Sequence, residues 1–190
     1  MSSGKWVKNS SGWKYRYKNG TYAKNIWLNI GGSIYRFGAN GYRVTGSFRW
    51  DGSLYYMDRS SGKLYVKRWM TVNDKTKYYY KADGTRAENQ WVAIGKGIYF
   101  FQKSGKLAMN QIITWKGRYY YVNRAGVRLT NTWLVKGGKR YYITGSGIFL
   151  CKSWMKSKGK YYYLGADGAV LTNRWVGNYY VGSNGARLTD

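Results

Sequence analysis

The sequence predicts an all-β fold, a solenoid of stacked β-hairpins built from about nine repeats of 21 residues. Three observations predict it: a series of mostly tryptophan positions, a series of glycines with the same period, and tyrosine-rich runs between them. The chain has 190 residues, of which 44% are hydrophobic, enough to bury a core if the aromatic side chains pack together. We expect residues 1–190 to form a single repeat array.

The tryptophan series defines the repeat units. Nine positions, seven of them tryptophan, recur at intervals of 21 residues, with one interval of 22. The units start near Trp6, Trp27, Phe48, Trp69, Trp91, Ile112, Trp133, Trp154 and Trp175. They fill the chain and leave no linker between them.

A glycine closes each unit and marks a turn. These closing glycines are Gly20, Gly41, Gly62, Gly84, Gly105, Gly126, Gly147, Gly168 and Gly185. Most are preceded by a small polar residue, a type that tolerates left-handed turns beside glycine. The third residue after each is aliphatic or aromatic, and we expect it to pack one hairpin on the next. These residues are Ala23, Val44, Tyr65, Ala87, Ala108, Leu129, Leu150, Leu171 and Leu188.

A second turn lies inside the unit and predicts one hairpin per repeat. The run that starts at the tryptophan position is followed by a short break and then by a tyrosine-rich run such as Tyr161-Tyr162-Tyr163. Aromatic-rich segments on both sides of a glycine turn are typical of a β-hairpin. The breaks include Asp51-Gly52, Lys116-Gly117, Gly137-Gly138 and Lys158-Gly159.

Two units depart from the tryptophan series in the same way. The units of Phe48 and Ile112 lack tryptophan at the repeat position and have an additional one, Trp50 and Trp115, two residues before the hairpin glycine. By strand alternation Phe48 and Trp50 share a face, whereas Ile112 and Trp115 do not. The aromatic side chain is relocated within the unit, and both a core role and a ligand role stay open.

The composition excludes several kinds of chemistry. The chain has no histidine and a single cysteine, Cys151, which excludes an imidazole base and zinc sites that need histidine or several cysteines. Asp51, Asp83 and Asp167 each precede a glycine and fit turns, and Glu88 is the only glutamate. A paired-carboxylate glycosidase site is therefore not expected. We expect no catalytic residue, metal or cofactor, and no membrane span or signal peptide in this stretch.

The charge indicates an anionic partner. Lysine and arginine number 33 against seven acidic residues, a formal net charge of +26 spread over every repeat. Because a net charge of about 2 to 8 suffices for solubility, this excess favours a long, repetitive polyanion. The candidates for anion contact are Lys77, Arg86, Lys116, Arg118, Arg128, Lys139, Arg140 and Lys158.

The motifs resemble a known family. Two stretches are similar to the cell-wall-binding repeats of Gram-positive surface proteins and lysins. They are GVRLTNTWLVKGGKRYYITGSG at residues 126–147 and GADGAVLTNRWVGNYYVGSNG near the C-terminus. That group includes choline-binding, glucan-binding and clostridial-toxin repeats, and the resemblance covers all nine units. It implies a stack of hairpins with ligand sites between repeats, in a non-catalytic module that is secreted or on the cell surface.

One departure from choline-binding repeats bears on the ligand. Those repeats usually place a second tryptophan immediately before the tyrosine pair, where it helps to cage a quaternary ammonium. Here Trp13 is the one tryptophan among the nine residues at that position, and Lys77 and Arg140 place a cation there. The resemblance with this departure makes choline or phosphocholine the second hypothesis for the ligand.

The leading hypothesis is a module that binds an anionic cell-wall polymer or surface polysaccharide such as teichoic acid. Aromatic grooves would stack on sugar rings while basic side chains pair with phosphates or carboxylates. Single-stranded nucleic acid is a further alternative that we rank lower, because no recognition motif for it is present. The aromatic candidates, some of which could serve the core alone, are Trp69, Trp91, Trp133, Trp154, Trp175, Tyr79, Tyr99, Tyr120, Tyr142 and Tyr162.

Overall fold

The structure, a computed structural model, describes residues 3–188 and contains eighteen β-strands and no helix within them. Consecutive strands pair in nine antiparallel two-stranded hairpins, which confirms the predicted all-β solenoid of hairpins. The strands are β1 (Gly4–Asn9), β2 (Gly12–Tyr17), β3 (Ile26–Ile30), β4 (Ser33–Phe37), β5 (Gly46–Trp50), β6 (Ser53–Met57), β7 (Arg68–Asn73), β8 (Thr76–Tyr80), β9 (Gln90–Ile94), β10 (Gly97–Phe101), β11 (Gln111–Trp115), β12 (Arg118–Val122), β13 (Thr132–Lys136), β14 (Lys139–Ile143), β15 (Ser153–Ser157), β16 (Lys160–Leu164), β17 (Arg174–Val176) and β18 (Tyr179–Val181).

The chain divides into two compact units. The first contains the residues up to Gln90 together with Phe101–Leu107, and the second contains Trp91–Phe100 and the residues from Ala108 onward. The hairpins from β1 to β8 lie in the first unit, and those from β9 to β18 lie in the second apart from the end residues Gln90 and Phe101. The assignment of the whole chain to a single domain stays a prediction.

The predicted hairpin turns are confirmed. Asp51-Gly52, Lys116-Gly117, Gly137-Gly138 and Lys158-Gly159 each join two paired strands, and both residues of each turn have positive φ. A two-residue loop with this geometry matches the right-handed twist of the flanking strands, which explains why glycine recurs at its second position.

The segment after each closing turn joins successive hairpins. In the second unit the backbone N–H of Arg128 donates to the carbonyl of Ile98 in the preceding hairpin (2.8 Å), and that of Leu129 donates to Tyr121 in its own (2.9 Å). In the first unit Arg86 donates in the same way to Leu54. The hairpins are thus connected by alternating hydrogen bonds that use the backbone groups a two-stranded hairpin leaves unpaired.

The core of each unit includes residues at the ends of the second strands. Eight of these are at most 1% exposed, namely Phe37, Met57, Tyr80, Phe101, Val122, Ile143, Leu164 and Val181. The sequence analysis did not identify these residues, because they are all hydrophobic but differ in residue type from one repeat to the next. Of the residues predicted to pack between hairpins, Ala23, Ala87 and Ala108 are fully buried, five others are half-buried, and Leu188 is 54% exposed.

The third repeat departs from the others in where its hairpin starts. Trp27 is the second residue of its strand and pairs with Arg36, whereas Phe48 is the third residue of β5 and lies one residue nearer its hairpin turn. The segment between Gly41 and β5 is one residue shorter than that between Gly20 and β3, and one additional residue between the end of β6 and Gly62, where Asp58 anchors a wider turn, restores the 21-residue interval. The 22-residue interval has another cause, a bulge between Thr71 and Asn73 in the fourth hairpin.

Candidate binding grooves

Tryptophan side chains of one hairpin pack on aromatic rings of the next within each unit. No tryptophan in residues 3–188 is fully buried, and several pack on a tyrosine of the following hairpin. The ring centroids of these pairs lie 5.1 to 5.7 Å apart, in Trp91 with Tyr120, Trp133 with Tyr162 and Trp154 with Tyr179. Such half-exposed aromatic pairs are suited to stacking on a flat ligand.

The groove that we call the Trp115 cleft brings together aromatic and basic candidates. Trp91, Trp115 and Tyr120 line a cleft of 580 Å³ together with three cations. These are Lys116, Arg118 and Arg128. Five residues proposed from the sequence therefore meet in one place, and Trp115 is the relocated tryptophan of the sixth repeat.

Arg128 is held between the aromatic rings and the backbone of a neighbouring repeat. Its guanidinium carbon lies 5.6 Å from the Trp91 ring and 6.0 Å from that of Tyr120. On the other side, a Cβ added to Gly147 would lie 2.6 Å from Arg128 Nε. The buried Nε has no hydrogen-bond partner. The arginine is thus packed as part of the cleft wall as well as charged.

The first unit contains an aromatic cluster with the same plan, which we call the Trp50 cluster. The rings of Trp27, Trp50 and Tyr55 lie 5.2 to 6.2 Å from one another. Trp50 and Trp115 both end the first strand of a hairpin, and Tyr55 and Tyr120 both stand third in the second strand. The candidates chosen from the sequence omit this cluster, although the relocated tryptophans pointed to it.

The charges beside the Trp50 cluster differ from those of the Trp115 cleft. Asp51 takes the turn position of Lys116, Ser53 that of Arg118, and Leu64 that of Arg128. Burial raises the pKa of Tyr55, and the negative charges of Asp83 and Asp51 raise this pKa further. The Trp50 cluster therefore has negative charge beside it, whereas the Trp115 cleft has three cations.

The cation Arg36 lies near the Trp50 cluster and forms hydrogen bonds outside it. The guanidinium carbon of Arg36 lies 5.9 Å from the Trp27 ring. The side chain is buried and donates to the carbonyl of Phe37 (2.7 Å) and to Asn25 Oδ1. Desolvation by burial lowers the pKa of Arg36. Trp50 itself is 43% exposed, so one side of the cluster stays accessible.

A third site, the Trp133 groove, contains Trp133, Tyr142 and Tyr162. The Trp133 ring lies 5.4 Å from Tyr142 and 5.5 Å from Tyr162. The guanidinium carbon of Arg140 lies over two of these rings, 4.7 Å from Trp133 and 5.1 Å from Tyr162. Three aromatic candidates and one basic candidate therefore meet here, with the cation inside the groove.

The remaining aromatic candidates are dispersed. Trp69 packs on Tyr79 and Phe101, and Tyr79 is a core residue. Tyr99 is half-buried in the fifth hairpin. Trp154 contacts Tyr163 and Tyr179 rather than Tyr162. Trp175 is 67% exposed and packs on Tyr180.

Several basic and acidic candidates have partners within the chain. Arg86 forms an ion pair with Glu88 (2.6 Å), and Lys139 forms one with Asp167 (3.1 Å). The hydrogen bond to Asp167 and its charge raise the pKa of Lys139. These pairs reduce the charge that Arg86 and Lys139 offer to a ligand.

The other predicted residues have local roles. Lys77 is half-buried and Lys158 is exposed in its hairpin turn. Asp83 and Asp167 accept hydrogen bonds from the backbone N–H groups of Thr85 and Ala169, which confirms them as turn residues.

The described residues contain neither a cluster of three or more metal-binding side chains nor a helix that could cross a membrane. Cys151 packs against the core cluster of the second unit, and burial raises the pKa of its thiol.

Known proteins include similar repeats and similar structures. The family model of the choline-binding repeat matches residues 149–187. The choline-binding domain of CbpL from Streptococcus pneumoniae is 29% identical, with a TM-score of 0.76, and the match covers 100% of this chain and 99% of that one. No curated protein sequence matches.

Two further structures from the same organism were determined with a peptidoglycan ligand or analogue present. The modular autolysin LytC, in complex with a synthetic peptidoglycan ligand, is 28% identical, with a TM-score of 0.75 over 97% of this chain. This chain spans 42% of LytC. Choline-binding protein F, in the presence of a peptidoglycan analogue, is 25% identical, with a TM-score of 0.71 over 93% of this chain and 61% of that one.

These matches agree with the repeat pattern, the nine hairpins and the aromatic grooves. The resemblance predicted from the sequence is confirmed: residues 149–187 match the model of the choline-binding repeat, and the whole chain is similar in structure to a choline-binding domain.

Proposed function

We propose that the chain is a non-catalytic cell-wall-binding module whose Trp115 cleft holds an anionic envelope polymer such as teichoic acid. One observation carries the proposal: Trp91, Trp115 and Tyr120 line the same cleft as three cationic side chains. The rings can stack on sugars, and the cations can pair with phosphate or carboxylate groups.

The distribution of charge supports an extended ligand. Among residues 3–188 the structure contains three ion pairs, Lys81 with Asp83, Arg86 with Glu88 and Lys139 with Asp167. Most of the 33 basic residues therefore have no carboxylate partner within the described chain. A polymer that contacts several repeats at once gains from effective concentration even when each contact is weak.

The relatives support a wall ligand, and we extend the proposal to a location at the cell surface. LytC and choline-binding protein F were each crystallised with a peptidoglycan ligand or analogue. LytC is a modular autolysin of which the chain matches 42%. We therefore place the chain outside the cell and assign any catalytic activity of its full-length protein to another domain.

The test is retention on purified Gram-positive cell walls, with and without teichoic acid, across a salt series. We expect retention to fall when teichoic acid is removed and to fall with rising salt. Trp115→Ala and Arg118→Ala should weaken retention, whereas Lys75→Ala, in an exposed hairpin turn, serves as the matched control. Retention that changes neither on removal of teichoic acid nor with the salt concentration would contradict the proposal. Equal retention on single-stranded DNA would favour the nucleic-acid alternative.

A second ligand, choline or phosphocholine, is favoured by the Trp50 cluster. Aromatic faces attract a quaternary ammonium, and the negative charges of Asp51 and Asp83 reach Tyr55. A polymer that bears both phosphate and choline groups would suit both sites. Titration with choline should quench tryptophan fluorescence in the unmodified chain and do so less in Trp50→Ala. Lack of response to choline in the unmodified chain would exclude this second ligand.

A further inference from the structure

The Trp133 groove differs from the Trp50 cluster in how a cation of the chain meets its rings: the guanidinium of Arg140 lies over two of them, whereas that of Arg36 lies near Trp27 alone. Arg140 follows Lys139 in β14, and its guanidinium carbon lies 4.7 Å from Trp133 and 5.1 Å from Tyr162. Both distances are within the roughly 6 Å over which a ring face attracts a cation. An external cation would have to displace this guanidinium to reach the same two faces.

The guanidinium of Arg140 is also held by a hydrogen bond. Its Nη1 donates to the backbone carbonyl of Asn184 (3.3 Å), which lies in the closing turn of the last repeat. Trp133 is fixed as well, since its Nε1 donates to Ser157 Oγ (3.3 Å). The guanidinium is thus positioned by two rings and one carbonyl. An exposed lysine or arginine would lose more side-chain conformational entropy on being held in one position.

We propose that Arg140 is an internal plug that closes the Trp133 groove to cationic ligands and so determines which of the aromatic sites accept a quaternary ammonium. The proposal rests on the proposed function in treating the grooves as ligand sites. It assigns opposite properties to two of them: the Trp50 cluster is open to a cation, and the Trp133 groove is occupied from within. Removing the Arg140 charge should convert the second into the first.

The probe for this inference is tetramethylammonium chloride, with sodium chloride at the same ionic strength as the blank. The variant is Arg140→Gln, whose amide N–H can still donate to the Asn184 carbonyl while its charge is lost. Calorimetric titration should show one more bound cation per chain than in the unmodified protein. Tryptophan fluorescence should change in parallel.

Matched variants separate the plug from a general effect of charge. Arg124→Gln removes an exposed arginine in a closing turn and should bind no additional cation. Arg140→Lys keeps a cation at the groove and should resemble the unmodified protein. Tyr162→Ala, added to Arg140→Gln, should remove the new site again, because one of its two ring faces is gone.

The outcomes distinguish this inference from the proposed function. If Arg140→Gln binds no more tetramethylammonium than Arg124→Gln while its circular dichroism is native, Arg140 does not close the groove to cations. That conclusion holds whether or not the chain binds cell walls. If Arg140→Gln does not fold, Arg140→Met, which keeps the apolar stem, decides by the same comparison. If Arg140→Gln gains a cation although wall retention is lacking, the plug stands and the proposed function fails.

Discussion

The Trp115 cleft and the Trp50 cluster have the same aromatic plan and different charges. In each, a tryptophan of one hairpin packs on a tyrosine in the second strand of the next, and a second tryptophan ends that hairpin's first strand. The cleft adds Lys116, Arg118 and Arg128 to this plan. The cluster has Asp51, Ser53 and Leu64 at the equivalent positions.

This difference teaches how one repeat can serve two ligands. The rings supply a flat face that accepts a sugar or a cation with little discrimination. The neighbouring turn and strand positions lie outside the core, so they can vary in charge without disturbing the stack. We infer that ligand choice in this chain resides at these positions rather than in the tryptophans.

Exchange of the charges between the two sites should have the largest effect. Lys116→Asp with Arg118→Ser gives the cleft the residues of the cluster, and removes two contacts to an anionic polymer. Hydrogen bonds to charged groups contribute about 1.5 to 3 kcal/mol each, so retention on teichoic-acid-containing walls should weaken by about a hundredfold to ten-thousandfold.

The reverse exchange is the control for that prediction. Asp51→Lys with Ser53→Arg should leave the Trp115 cleft unchanged and lower the response of tryptophan fluorescence to choline. Identical wall retention in the two double variants would show that the charge difference between the sites does not select the ligand.

A smaller effect is expected from the glycines behind each site. A Cβ at Gly147 would lie 2.6 Å from Arg128 Nε, and one at Gly84 would lie 2.6 Å from Leu64 Cδ2. Gly117 has a similar positive φ but no atom within 4 Å of such a Cβ. Alanine at Gly147 or Gly84 should therefore lower the free energy of unfolding by about 1 to 3 kcal/mol more than alanine at Gly117.

Denaturant titration of the three alanine variants measures this difference, because all share the cost of placing alanine at positive φ. Equal destabilisation would mean that Arg128 and Leu64 move aside without loss of packing. Gly147→Ala should in addition weaken wall retention, since Arg128 belongs to the Trp115 cleft, whereas Gly84→Ala should not.

The repeat pattern predicted the fold and part of the sites. Tryptophan and glycine spacing located all nine hairpins, because each turn needs glycine or a residue that tolerates positive φ. The same pattern identified Trp91, Tyr120, Lys116, Arg118 and Arg128, which meet in one cleft. Residues that recur at fixed positions are visible in a single sequence.

Other features depend on contacts between hairpins that spacing does not reveal. Trp27 and Tyr55 were not among the candidates, since only the pairing of β5 with β6 shows that Tyr55 is equivalent to Tyr120. Arg140 and Arg128 look alike in sequence as surface cations, yet both are packed on aromatic rings. Such cation–ring contacts depend on side-chain direction, which the repeat period does not specify.

Removal of one ring tests whether the aromatic plan is shared. Trp50→Ala should weaken choline binding by about 0.5 to 2 kcal/mol, the range for a single cation–ring contact. Trp115→Ala should leave choline binding unchanged, because cations already surround that cleft. Calorimetric titration with choline measures both affinities. A loss in Trp115→Ala equal to that in Trp50→Ala would contradict the assignment of choline to the cluster alone.

The smallest effect concerns the wider turn that follows β6. The Asp58 carboxylate accepts hydrogen bonds from the hydroxyl and backbone N–H groups of Ser60 and Ser61. The bond from the Ser60 hydroxyl, followed by those from Ser61, holds the pKa of Asp58 well below its ordinary value. A carboxyl with a depressed pKa stabilises the fold fully above its unfolded value of about 3.9 and loses that contribution as the pH falls through the folded value.

Asp58→Asn lacks this titration, so it should be less stable than the unmodified chain at neutral pH and approach it in acid. Thermal unfolding at about pH 6 and about pH 2.5 measures the difference, which should shrink at the lower pH. Because Asp58 lies in the turn that joins β6 to Leu64, and Leu64 bonds to Ile34 of the preceding hairpin, the same substitution should weaken choline binding at the Trp50 cluster and leave the Trp115 cleft intact. A stability difference equal at both pH values would show that the carboxylate charge does not anchor this turn.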